Sequence, residues 1–186
     1  MRRIINSTYI SLDGVIQDPQ DWPGNGIESD GRGGTIQTDL LAACDAVLMG
    51  RHTYEAFAPV WKQRSGDPYS DQINSMAKYV VASQPLKTPW DNTIVLGADT
   101  DPIEEIRALK SVPGKDIVQY GFGQLSYALL EAGLLDELRL WVHPLFVGTA
   151  TTTDLLFRPS ATAQLTLVDT VPLNTGTVVL SYHANG

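Results

Sequence analysis

The chain has 186 residues, 43% hydrophobic and 18% charged, a composition that suits one globular domain with a full core and argues against a disordered chain. Thirteen basic against twenty-one acidic residues give a net charge of −8 without any dense Lys/Arg run, which argues against a nucleic-acid or anionic-membrane surface. The apolar residues near the N-terminus are broken by Asn6, Ser7, Thr8, Ser11 and Asp13, no stretch is long enough to cross a bilayer, and the single Cys44 excludes an intramolecular disulfide. A reducing cytoplasm fits.

Residues 2–12 are rich in β-branched and aromatic types and stop at Asp13-Gly14, which predicts a first strand ending in a turn. Residues 17–34 carry five glycines, two prolines and four acidic side chains, with only Trp22 and Ile27 as large apolar groups. They read as a mobile loop, either an active-site lid or a plain surface excursion. Thr35 or Thr38 can cap a helix with apolar positions Leu40, Leu41, Ala43 and Cys44. Asp45–Gly50 is the next strand, and a helix opens at Arg51-His52-Thr53-Tyr54 directly after its glycine. Gly50 permits close approach, Arg51 supplies a forked cation and Thr53 a hydroxyl, at a helix N-terminus that favours an anion by roughly 0.5–1 kcal/mol. Alternatively, Arg51 pairs with a nearby carboxylate and Thr53 only caps the helix.

Asp67–Met76 reads as a helix and Lys78–Ser83 as a strand whose C-terminal end carries Ser83 and Gln84, where ligands gather in open α/β sheets. Thr93–Leu96 is a further short strand. Asp101-Pro102-Ile103-Glu104 has the carboxylate N-cap, N1 proline and N3 glutamate of a helix start, and that helix runs to about Val112.

The stretch Asp116–Gly148 reads as a βαβ unit: a strand around Ile117-Val118, the turn Tyr120-Gly121-Phe122-Gly123, a helix with Leu125, Ala128, Leu129 and Ala132 on one face, and a strand Glu137–Pro144. Leu138, Leu140 and Val142 there alternate with Arg139, Trp141 and His143, predicting two different faces. Gly121 and Gly123 either admit a phosphate to the helix amides or merely make a tight turn. Thr149–Asp154 is polar and flexible, Leu155-Leu156-Phe157 plugs an apolar gap, and Gln164–Val171 and Thr177–His183 form a terminal hairpin around Asn174-Thr175-Gly176. No linker appears, so residues 1–186 read as a single α/β domain, a mainly parallel mixed sheet flanked by helices with an antiparallel C-terminal hairpin. His52, His143 and His183 lack metal-ligand spacing, and no nucleophile elbow occurs, so no metal and no nucleophilic hydrolysis is expected. The glycines, hydroxyls and Arg51 at strand ends suit a phosphate-bearing cofactor that carries the reaction itself.

Four segments resemble the dihydrofolate reductase superfamily, in the branch similar to the C-terminal reductase domain of bacterial riboflavin biosynthesis. They are Thr8–Gly14, Leu48–Tyr54, Lys78–Ser83, and Gly121 through Pro144, followed by Phe146-Val147-Gly148 and the hairpin. The resemblance implies a dihydrofolate-reductase-like fold, a homodimer, and NADPH at the C-terminal strand ends. Gly14, Gly50, Arg51, His52, Thr53, Ser83, Gln84, Tyr120, Gly121, Gly123 and Gln124 would line the cofactor. Gln84 stands where relatives often have a basic residue, so NADH stays open. Trp22, Asp39, Tyr54, Phe57 and Trp61 would face the substrate. Asp13 is the candidate proton donor or polar orienter, or a simple turn aspartate.

The implied activity is hydride transfer to a pteridine- or pyrimidine-like heterocycle or a carbonyl compound, as in 5-amino-6-(5-phosphoribosylamino)uracil reductase. The loop after Gly148, where relatives often carry Lys or Arg, reads Thr-Ala-Thr-Thr-Thr-Asp. The rival readings are a nucleotide-binding protein without turnover and a structural dimerisation module with Trp141 in its interface.

Overall fold

The computed structural model describes residues 1–23, 31–159 and 161–184. Its strands are β1 (Ile4–Ser11), β2 (Cys44–Gly50), β3 (Ala77–Val81), β4 (Thr93–Leu96), β5 (Asp116–Tyr120), β6 (Glu137–His143), β7 (Leu165–Pro172) and β8 (Val178–Ala184). The helices are α1 (Gly31–Ala42), α2 (Arg51–Trp61), α3 (Pro68–Ser75), α4 (Pro102–Ser111) and α5 (Gln124–Glu131), with a 3-10 turn at Pro19–Asp21. The strands form one eight-stranded sheet in the order β4-β3-β2-β5-β1-β6-β8-β7. It is the expected α/β fold: β4, β3, β2 and β5 pair in parallel, and β6, β8 and β7 pair antiparallel.

The residues gather in two compact units, Met1–Ile5 with Thr35–Tyr120 and Asn6–Gly34 with Gly121–Gly186. The divisions fall inside β1, inside α1 between Gly34 and Thr35, and at the Tyr120–Gly121 turn. The first unit is cored by Ile5, Leu41, Val47, Met49, Tyr54, Ile73, Val80 and Val118, all essentially inaccessible. Its register sets Gly50 opposite Val81 and Met49 opposite Tyr120, so β2, β3 and β5 end together. Lys78, fully buried, donates through Nζ to the carbonyls of Asn74 (2.6 Å) and Asp91 (3.1 Å) and lies 4.7 Å over the Trp90 ring. In the second unit, Trp22, Phe122, Leu129, Leu134, Leu135, Leu138, Trp141 and Val179 are buried.

Several expectations are corrected. The span 17–34 is not one loop, since it holds the 3-10 turn and the first turn of α1, while residues 24–30 lie outside those described. Glycine in a helix costs about 1 kcal/mol relative to alanine. The burial of Leu40 and Leu41 one face further along α1 outweighs that penalty in a first turn whose N–H groups lack intrahelical partners anyway. Cys44 opens β2 instead of closing the helix, and is buried. Phe157 does not plug a gap: it is 64% exposed, and only Leu155 and Leu156 are half-buried.

On β6 the polar-lettered face is the more buried one. Glu137, Trp141 and His143 are 5%, 2% and 6% exposed, whereas Leu140 and Val142 are only half-buried. Trp141 donates through Nε1 to Ser7 Oγ at 3.0 Å and packs edge-on against Tyr9, so it is core within one chain and not an interface residue.

Candidate functional site

In the first unit, β2 delivers the chain directly into α2 through Gly50, whose extended backbone (φ −76°, ψ 161°) has no side chain with which to cap the helix. A Cβ built on Gly50 would meet no atom within 4 Å, so a ligand can approach the first amides closely. Arg51 Nη1 donates to Gln84 Oε1 at 2.8 Å, while Arg51 Nε is buried without a hydrogen-bond partner among the described residues. Arg51 does pair with a carboxylate, Glu55 one turn on, whose Oε1 stands 3.9 Å from that Nε; the contact is an ion pair too long for a hydrogen bond, and the same oxygen accepts the Lys87 backbone N–H at 2.7 Å. Thr53 is half-buried and His52 exposed on α2; Ser83 and Gln84 are exposed just beyond the end of β3.

Tyr54 is not a pocket wall. It is 1% exposed in the core, with its hydroxyl donating to the Thr88 carbonyl at 2.9 Å and lying 3.2 Å from Thr93 Oγ1. Tyr120 is likewise buried and accepts the Tyr69 hydroxyl at 2.8 Å, so it supports the strand end and not a ligand. Phe57 and Trp61, four apart on α2, are half-buried and tile onto Tyr120 (5.4 Å) and Tyr69 (4.9 Å) respectively, with Arg64 4.8 Å over Trp61. Asp39 is exposed on α1.

In the second unit, a Cβ on Gly123, the residue before α5, would also meet nothing within 4 Å. Ser126 Oγ accepts the Gly123 N–H at 3.4 Å, and the fully buried Asn6 donates to the Gly121 carbonyl at 2.9 Å, holding the turn in shape. Gln124 is exposed at the first position of the helix.

Asp13 sits in the turn after β1. It accepts from Ser11 Oγ (2.5 Å), from the Val147 N–H with both oxygens (3.1 Å each) and from the Gly148 N–H (2.9 Å). The Ser11 hydroxyl above all, then the Gly148 amide, holds its carboxyl at about 2, so it is an anion at neutral pH and has no proton to give. Asp13 thus fastens the 12–14 turn to the loop after β6, together with Leu12 N–H on the Leu145 carbonyl at 2.9 Å. Gly14 follows at φ +84°, a left-handed conformation that suits glycine, and its carbonyl accepts the Leu156 N–H at 2.8 Å.

The loop after Gly148 does contain a cation, Arg158, but it is spent on its own segment. Its Nη1 and Nη2 donate to the carbonyls of Thr152, Thr153, Leu155 and Phe157, and its guanidinium lies 5.6 Å over Tyr127.

Trp22 is buried, not displayed: Nε1 donates to the Gln17 carbonyl at 2.8 Å and its ring meets His143 edge-on at 5.7 Å. His143, absent from the expected site residues, is buried beside Trp22. The visible signal was its place as the last member of an alternating strand, on the same face as Trp141. Among the described residues no group of three or more His, Cys, Asp or Glu is placed to hold a metal ion, and no helix is long and apolar enough to cross a membrane.

The family model of the RibD C-terminal domain matches residues 2–179. The Bacillus subtilis (strain 168) protein YyaP is 30% identical over 200 residues, covering 100% of this chain and 96% of its own. A Shewanella sp. PV-4 protein assigned to riboflavin biosynthesis superposes with a TM-score of 0.68 at 21% identity, covering all of both chains. A pyrimidine reductase-like protein of Corynebacterium diphtheriae superposes at 0.64 with 17% identity, over 100% of this chain and 92% of its own. At such identities the two superpositions speak for the fold alone.

Proposed function

Because the chain belongs to the RibD C-terminal domain family, whose reductases use NAD(P)H, we propose that it is an NADPH-dependent reductase of a small heterocyclic or carbonyl substrate. The observation that carries this reading is Arg51, a cation at the start of α2 with its Nε buried and lacking an acceptor, next to a glycine that leaves room for one. A phosphate oxygen satisfies that donor and the helix terminus together. The open side of Gly123 at the start of α5 suits the same chemistry.

When bound, the dinucleotide supplies a hydride from C4 of its nicotinamide to a C=N or C=O carbon. The chain binds and orients. Gly50, Arg51 and Thr53 hold phosphate in the first unit, and the amides of Gly123 and Gln124 hold it in the second. Gln84 keeps the guanidinium of Arg51 beside the Ser83–Gln84 turn, placing there the positive charge that Gln84 itself lacks, and this favours NADPH over NADH. Asp13 is a positioning residue that keeps Gly14 and the Val147–Gly148 amides in place. The proton that completes reduction comes from water, since the carboxylate is ionised.

Arg51→Ala is expected to weaken NADPH binding roughly 10- to 100-fold, the worth of one charge-assisted hydrogen bond, with an unchanged unfolding transition. Calorimetric titration of both proteins with NADPH and with NADH checks this. An unchanged dissociation constant for the variant, or no nucleotide binding to either protein, sinks the reading. Nucleotide binding without turnover is favoured by the saturated Asp13 carboxylate, and loss of NADPH absorbance with a reducible substrate rules it out. We also propose that the protein is a homodimer, which light scattering tests.

A further inference from the structure

A second polar atom stands buried and unanswered, in the second unit. His143 is 6% exposed, and its Nε2 has no hydrogen-bond partner among the described residues. The β6–β8 register, which pairs Val142 with Val178, sets His143 opposite Thr177, and the Thr177 hydroxyl lies 3.4 Å from Nδ1. One ring nitrogen is thereby engaged and the other left over. Tyr9 meets the imidazole in a T-shaped contact at 4.8 Å and Trp22 in another at 5.7 Å, so the ring is flanked by two aromatic side chains. Burial pushes its pKa down to about 4, and no carboxylate among the described residues pairs with it, so the ring is neutral near pH 7. A native buried polar atom without a partner calls for an explanation, and a ligand contact is one.

Resting on the reductase reading above, we infer that His143 is a substrate-contacting, specificity-determining residue whose Nε2 hydrogen-bonds the lactam or carbonyl edge of an uncharged, planar heterocycle lying among Tyr9 and Trp22. A neutral imidazole offers a phosphate or carboxylate no charge, and aromatic walls favour a flat ring. The one cation of the 151–158 loop, Arg158, is engaged by four carbonyls of its own segment. Trp22, 4% exposed and donating to the Gln17 carbonyl, packs on His143, so a ring that reaches Nε2 has to turn this indole aside.

The probes are pterin and uracil, titrated into the whole chain with and without NADPH, with the imidazole nitrogens followed by NMR and affinity by calorimetry. The Nε2 resonance of His143 should move at saturation. His143→Phe should bind either probe at least tenfold more weakly while binding NADPH as the wild type does, and His143→Gln, which restores a hydrogen-bonding edge, should recover part of the loss. If neither probe binds the wild type, or Nε2 stays still, or the Phe variant binds equally well, the inference is overturned. Should the Phe variant fail to fold, the nitrogen shift and the Gln variant decide. Failure of NADPH to bind, with the probes still dependent on His143, would remove the reductase reading and leave this contact standing.

Discussion

Asp13 and His143 are both held in one protonation state, by opposite physics, and each should leave a mark on the pH dependence of stability. The Asp13 carboxyl titrates in the fold at about 2, below its ordinary 3.8, because hydrogen bonds favour the charged form, that of Ser11 most. Its contribution is therefore complete above about pH 4 and is lost as pH falls towards 2. Asp13→Asn should lose less stability than the wild type between pH 4 and pH 2 in urea titrations, and equal losses would refute the clamp. His143 is lowered from 6.5 to about 4 by burial, so the unfolded chain takes up a proton that the fold resists. Stability should fall as pH drops from about 6.5 to about 4 and then level off. Replacing His143 with Phe should remove that part of the slope, which the same urea titrations read.

The helix ends follow capping chemistry closely. Asp101 accepts the Ile103 N–H at 2.9 Å and Pro102 stands at the first position of α4, as the local sequence predicts. Glu104 instead pairs with Arg107 at 3.3 Å, and it is Glu105 that reaches back, accepting the Gly97 N–H at 2.7 Å. Asp101→Ala should cost about 1 kcal/mol, measured by chemical denaturation, and a change near zero would mean that the proline alone sets the helix start. Strand β6 teaches the reverse lesson. Its alternation announces two faces, but which of them is buried depends on what lies against it. Ser7 and Tyr9 of β1 take Trp141, and Thr177, Tyr9 and Trp22 take His143.

A nucleotide that binds only the folded chain should stabilise the whole molecule. NADPH at about a hundred times its dissociation constant adds about 2.7 kcal/mol, a rise of roughly 5–10 °C in the melting midpoint for a chain of this length. Scanning calorimetry should show a smaller rise with NADH at equal concentration, and equal shifts would remove the role given to Arg51 beside Gln84. The elements, their order and the mixed α/β sheet were legible in the residues themselves, since periodicity, caps and glycine turns are local properties of a few neighbouring residues. So was the passage from β2 through Gly50 into a helix opening at Arg51, because a strand, a glycine and a helix start are read from neighbouring residues.

What only the tertiary structure decided was the duty of each polar and aromatic group. Asp13 and Tyr54 read as site residues, yet one spends its carboxylate on amides 134 and 135 residues away and the other its hydroxyl on Thr88 in the core. His143 read as a scattered histidine, yet register and burial leave one of its nitrogens unanswered. Composition and local pattern determine what a segment can form; whether its side chains meet solvent, ligand or one another is set by partners far along the chain, through long-range pairing that no local window contains.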